Sequence, residues 1–324
     1  MSTGATESLI ESENLDTAGE GAAEIAARSP LELFWRRLRN DKVALVALGV
    51  IVFMLLVAIF APLIVKITGA PNPNVQNDNL LDDFGSPTGP TGNDWFGVDE
   101  RGRDVFSRVL YGARISLEAA LISTALIVLI GVTAGLITGY YRGWADTLLS
   151  RVMDLFLAFP VLVLAVGLGV ACADGCLGGV IQPGLPVVIF VIVLTTWPYM
   201  ARIVRGQVLS LREREFVEAS RSLGAPDRRI IFREILPNLV APIIVYATVL
   251  IPQNIIYEAA LSFLGVGVDP SKPSWGAMIS DATSIFQDAW WFMVFPGIAL
   301  LITVLAFNIV GDGLQDALNP RTSK

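Results

Sequence analysis

Six apolar runs, each close to the length that crosses a bilayer, constrain this chain more than any other feature. A spanning helix needs about 20 predominantly apolar residues. Val43–Val65, Ile115–Tyr140 and Val152–Ala171 are three such runs. Leu185–Met200, continuing to about Arg205, is a fourth, Asn238–Leu264 a more polar fifth, and Trp290–Val310 the sixth. Hydrophobic residues make up 53% of the 324 and charged ones only 16%. A soluble domain carries about 25% charged residues, so this balance belongs to a membrane protein.

Lys and Arg set the expected orientation. Lys66, Arg101, Arg103, Arg108, Arg114 and Lys272 fall on one side. Every other Lys and Arg falls on the side of both termini and of the loop between the fourth and fifth runs, including Arg202, Arg205, Arg212, Arg214, Arg221, Arg228, Arg229 and Arg233. The excess predicts cytoplasmic termini and a cytoplasmic 206–236 loop. Residues 1–30 hold Glu7, Glu11, Glu13, Asp16, Glu20 and Glu24 against Arg28 and read as a disordered acidic tail, not a signal peptide.

Several chemistries are excluded. The chain has no His, which removes imidazole acid/base catalysis and imidazole metal sites. None of Lys42, Lys66, Lys272 and Lys324 follows a glycine, so there is no P-loop and no ATPase site. Cys172 and Cys176, the only cysteines, sit in a short outer loop. A disulfide and two separate thiols are equally compatible with that setting, and two cysteines alone do not make a metal site.

Residues 67–113 form a long outer loop, rich in turn formers up to Asn93. Arg101–Arg114 reads as an amphipathic elbow lying on the membrane surface, with Arg103, Asp104 and Arg108 on its polar side. Gly131, Gly135 and Gly139, at i, i+4 and i+8, form a small-residue stripe that lets another helix approach, whether in this chain or in another subunit. Gln253, Asn254 and Glu258 are the only polar cluster inside a run; a pathway and a packing role are both open to them.

The charged island between the fourth and fifth runs is the strongest functional signal. Glu213–Leu223 reads as a helix that Gly224 ends in the left-handed conformation, with Pro226 and Asp227 opening a second short helix and Pro237 bending it into the fifth span. Phe216, Val217, Ala219 and Leu223 stand among charges, a face suited to a groove on a soluble partner. The order Glu218-Ala219-Ser220, Gly224, Ile235-Leu236-Pro237 resembles the EAA loop of ABC-importer permeases.

More blocks agree with one family, the C-type permease subunit of dipeptide/oligopeptide/nickel ABC importers. They are Ser29–Lys42, Phe96–Arg108, Tyr111–Leu117, Leu261–Gly267, Pro273–Gly276 and Asn308–Pro320. Ser220 departs from the second Ala usual in the family motif. The resemblance implies an all-α integral membrane protein with six transmembrane helices and a cytoplasmic coupling-helix pair, the type I ABC importer permease fold, in the bacterial inner membrane.

It also implies a second permease subunit, two P-loop ATPase subunits that bind ATP and Mg, and an extracytoplasmic substrate-binding protein. Glu215, Glu218, Ala219, Ser220, Arg221, Leu223, Gly224 and Ala225 would couple to the ATPase. Peptides are the implied substrate class, with nickel or other small solutes as alternatives. An ion-coupled secondary transporter or channel is a remoter reading, and an intramembrane enzyme lacks the paired groups it needs. The expected division is a tail at 1–30, the first span at 31–66, the outer loop at 67–113, a five-helix core at 114–314 and a cytoplasmic end at 315–324. Membrane lipid is the expected surround; nothing points to nucleic acid.

Overall fold

The computed structural model describes residues 36, 38–83, 85–92, 94–266 and 271–318. The expected acidic tail and the last six residues lie outside the described residues. The described residues form helices joined by turns, with no β-strand among them beyond isolated bridges.

Helix α1 (Lys42–Thr68) starts at Asp41, whose carboxylate accepts from the Val43 and Ala44 amides at 3.0 Å each. It buries a narrow stripe, Ala44, Ala47, Ile51, Ala58, Ala61 and Val65, and leaves most of its large apolar side chains exposed. In water that exposure would be costly; against lipid it is the expected outer surface. Helix α2 (Val105–Tyr141) is 37 residues long, about 55 Å at 1.5 Å per residue, and so outruns the hydrocarbon layer.

The surface elbow expected at 101–114 does not form. From Val105 onward that segment is the first three turns of α2, and Arg103, Asp104 and Arg108 are buried, not turned outward. Asp104 caps α2 by accepting from the Ser107 amide, and partners for both arginines pull the segment into the protein.

The third apolar run is not one straight span. Helices α3 (Gly143–Leu157) and α4 (Val161–Ala171) meet at 90°. Pro160 has no N–H to give and its ring opposes the carbonyl four residues back, while the residue before a proline is steered out of the helical region. Helix α5 (Leu185–Arg212) runs beyond the expected end of the fourth run. Helix α6 (Glu215–Ser222) follows, then α7 (Asp227–Phe263), α8 (Trp275–Ala282) and α9 (Trp290–Leu318).

Helices α1, α2, α5, α7 and α9 are each long and apolar enough to cross a membrane, and the bent pair α3–α4 passes the same test jointly. One apolar core lies between α2, α5 and α7, around Ile127, Val188, Ile192, Val204, Ile235 and Leu239. A second joins α1, α2, α8 and α9 around Ile51, Leu117, Trp275, Phe292 and Phe307.

Candidate functional site

In the segment between α5 and α7 one side chain, Val217, is fully buried and most of the others are exposed. Helix α6 has Glu215 and Glu218 in its first turn and Arg221 in its last, the charge order that the helix dipole favours. Val217 is fully buried and packs with Ile230, Ile231 and Ile235. Glu215, Phe216, Glu218, Ala219, Arg221 and Gly224 are exposed, Leu223 is 88% exposed, and Ser220 and Ala225 are half-buried.

The helix ends in a Schellman motif. The Gly224 amide donates to the Arg221 carbonyl at 3.0 Å and the Ala225 amide to the Ser220 carbonyl at 3.1 Å. Gly224 sits at φ +77°, the left-handed conformation this motif requires, and nothing lies within 4 Å of where its Cβ would be.

The second short helix expected after Gly224 does not stand apart. Asp227 opens α7 directly, and a π-helical stretch, Ile230–Ile235, carries it into the membrane span. Pro237 therefore lies inside a continuing run of helical residues and not between two helices. It removes one amide and crowds the carbonyl four residues earlier, and the wider π turn just ahead accommodates that, with the Leu236 amide reaching back to Ile231.

The base of the site is tied to α2. Tyr140 donates its hydroxyl to Asp227 at 2.7 Å, Arg212 donates to the Tyr140 carbonyl and lies over its ring, and Arg142 pairs with Glu213 at 2.7 Å. Asp146 of α3 takes a two-pronged ion pair from Arg205 of α5, at 2.7 and 2.9 Å. Both ends of the α6 loop thus rest on spanning helices whose positions are locked to one another.

The glycine stripe of α2 faces α5 of the same chain. A Cβ on Gly131, Gly135 or Gly139 would stand 2.6 Å from the Cβ of Met200, Val204 or Val208, closer than carbon atoms approach. Cys172 and Cys176 are joined as a disulfide, with Cα atoms 5.0 Å apart. The polar cluster of the fifth run divides in two. Asn254 and Glu258 turn into the protein, Asn254 donating to Thr124 at 2.9 Å and Glu258 accepting from Ser116 and Ser262 at 2.8 Å each. Gln253 is exposed on a different face of α7.

Segment 96–108 hides a feature that sequence reading missed. Asp99 is fully buried and accepts from the amides of Arg101 and Arg103, at 2.9 and 3.0 Å, while Nε of Arg103 reaches it at 2.6 Å. Nε of Arg108 stands 3.4 Å from the same carboxylate, near enough to pair though not aligned as a hydrogen bond. Trp291 donates to the Val98 carbonyl at 3.0 Å, and Trp275, wholly buried, donates to that of Val109 at 3.1 Å. An Asp four residues before an Arg was the available signal, but it reads equally well as a solvated pair. Helix α8 was also missed; Ser274, which accepts from the Ala277 amide, marked its start.

Among the described residues no cluster of three or more His, Cys, Asp or Glu is placed to hold a metal ion.

Comparison with known proteins agrees with this geometry. The model of the binding-protein-dependent transport system inner membrane component family matches residues 131–324, and that of the N-terminal TM domain of oligopeptide transport permease C matches residues 29–87. The dipeptide transport system permease protein DppC of Alkalihalophilus pseudofirmus is 41% identical over 92% of each chain. The glutathione transport system permease protein GsiD of Pectobacterium atrosepticum is 39% identical over 91% of this chain and 93% of that one, and its Escherichia coli counterpart is 42% identical over 91% of each. Among solved structures, an inward-facing form of the MetNI methionine ABC transporter has a TM-score of 0.55 at 20% identity, over 65% of this chain and 96% of that one, a likeness of fold. The chain belongs to the binding-protein-dependent transport system inner membrane components, the multi-pass permeases of ABC importers.

Proposed function

We propose that this permease carries di- or oligopeptides inward, and that α6 is the surface through which an ATPase partner drives it. The observation that carries the docking role is the single-anchor construction of α6. Val217 holds the helix in place while Glu215, Phe216, Glu218, Ala219, Arg221 and Leu223 face outward. Such a helix offers a small apolar face with a charged rim to a groove on a soluble protein. The peptide reading rests on the dipeptide and glutathione permeases among its relatives.

On this reading both termini and α6 are cytoplasmic. A second permease completes the path, two P-loop ATPases supply the ATP and Mg chemistry, and an extracytoplasmic binding protein delivers the solute. Closure of the ATPase pair moves α6, and α6 moves the two spans it joins, a two-state switch between inward and outward access.

Gly224→Trp tests the docking role. The left-handed backbone costs a non-glycine residue about 1–2 kcal/mol, which a folded membrane protein absorbs. The space around the Cβ position of Gly224 is open, so an indole there starts outward from the surface, toward what docks on it. Purified in mild detergent from its native membrane, the wild-type chain is expected to bring with it two ATPases and a second permease. The variant is expected to lose the ATPases, or to keep ATP hydrolysis without peptide uptake. Uptake at the wild-type level by Gly224→Trp sinks the role of α6, and recovery of the wild-type chain alone sinks the importer assembly.

A further inference from the structure

Helices α5 and α7 flank a groove of about 380 Å³, lined by residues well inside both membrane-length helices. Thr196, Tyr199 and Ile203 line it from α5, and Tyr246, Gln253 and Tyr257 from α7. On each helix these residues recur at helical spacing, so each wall is one face.

No polar group in this lining has a hydrogen-bond partner among the described residues. Thr196 is 3% exposed, yet its hydroxyl makes no hydrogen bond, whereas its neighbour Thr195 donates to the Val191 carbonyl at 2.8 Å. Tyr199 is 44% and Tyr246 36% exposed, and no hydrogen bond engages either hydroxyl, that of Tyr257 or the Gln253 amide. Asn254 and Glu258, one and five residues on, show the contrast: each turns inward to a hydroxyl on α2. Hydrocarbon cannot satisfy hydroxyls and amides, and each left unmet at that depth costs several kcal/mol by the bilayer rule. Polar side chains at this depth therefore face water, a solute or another protein.

The two walls are also the two helices that α6 joins. Helix α5 runs down into Arg212 and α7 starts at Asp227, so a shift of α6 changes the spacing of the groove's walls directly. The lining holds no carboxylate, ammonium or guanidinium. It offers hydroxyls, one amide and three aromatic faces. Such a surface hydrogen-bonds a backbone amide, and its rings attract an ammonium weakly, without the deep trap that a buried ion pair would set.

We propose that this groove is the chain's share of the solute path, and that Thr196, Tyr199, Gln253 and Tyr257 touch amide-bearing, zwitterionic solutes as they pass. The proposal rests on the importer reading above, in which a second permease closes the open side.

The test is solvent access measured in the assembled transporter in membrane vesicles. Tyr199→Cys and Gln253→Cys are made singly, with Leu301→Cys and Ile59→Cys as controls on the exposed apolar faces of α9 and α1. A charged methanethiosulfonate is the probe, and the wild-type chain, whose two cysteines are bonded to each other, is the blank. Only the thiolate reacts, and hydrocarbon suppresses it, so groove cysteines are expected to label roughly tenfold or more faster than the controls.

An excess of alanyl-alanine is expected to slow labelling in the groove and leave the controls unchanged. Labelling at both groove positions no faster than at the controls overturns the proposal; if one variant fails to assemble, the other gives the same readout. Wild-type uptake of alanyl-alanine in the same vesicles decides the importer reading separately. Labelled groove cysteines without uptake would keep the wetted path and discard its peptide cargo.

Discussion

Asp99 shows how much one residue can organise. Its carboxylate is fully buried, takes two backbone amides, and faces the guanidinium groups of Arg103 and Arg108. A buried pair of this kind contributes little net stability over an apolar substitute, but removing one partner strands the others. Asp99→Ala leaves two guanidinium groups buried without a counter-charge and is expected to destabilise the chain by about 3–5 kcal/mol. The melting temperature in detergent checks this, with Glu100→Gln as the comparison. Glu100 pairs with Arg101 near the surface, and its loss is expected to cost no more than about 1 kcal/mol. Equal melting temperatures for the two variants would contradict the assignment. Gly102 supports the same turn at φ +69°, since a Cβ there would fall 2.4 Å from the Asn77 carbonyl oxygen.

Between elements, backbone contact is what the glycine stripe makes possible. Along α2, Gly131, Gly135 and Gly139 let α5 approach until its Cβ atoms rest where side chains would otherwise be. Gly135→Val has no room, because even the first carbon would lie 2.7 Å from the Ala201 carbonyl oxygen, which cannot swing aside. The expected cost is about 1–3 kcal/mol, seen as a lower melting temperature, whereas Gly167→Ala on α4 meets open space and is expected to be nearly neutral. The reverse ranking would mean that α2 and α5 do not pack this way. The stripe was readable from spacing; its partner was not, because spacing says that a helix comes close and not which one. The break between α3 and α4 had a visible cause in Pro160, but the apolar run continues through it, and hydropathy does not see direction.

At the scale of the whole molecule, α6 hangs from two spans that also wall a polar groove, so the proposed docking surface and the proposed path share the same two helices. Sidedness is the property of the whole that is easiest to measure. Trp144→Cys, at an 80% exposed position at the start of α3 and away from α6, is expected to react with an impermeant thiol reagent in inverted vesicles and not in intact cells. Reaction from outside intact cells would reverse the orientation. Membrane class, the α6 helix and its Gly224 stop were legible in the residues, because apolar length and helix-ending chemistry act over a few neighbouring positions. Residues of widely separated sequence had to meet before the rest could exist. Asp99 with Arg108, Trp291 with Val98, Gly135 with Val204, and Thr196 with Gln253 across the groove are such meetings. Only tertiary packing decides which of several equally apolar faces turn toward each other, because lipid accepts any of them and close contact between particular side chains does not.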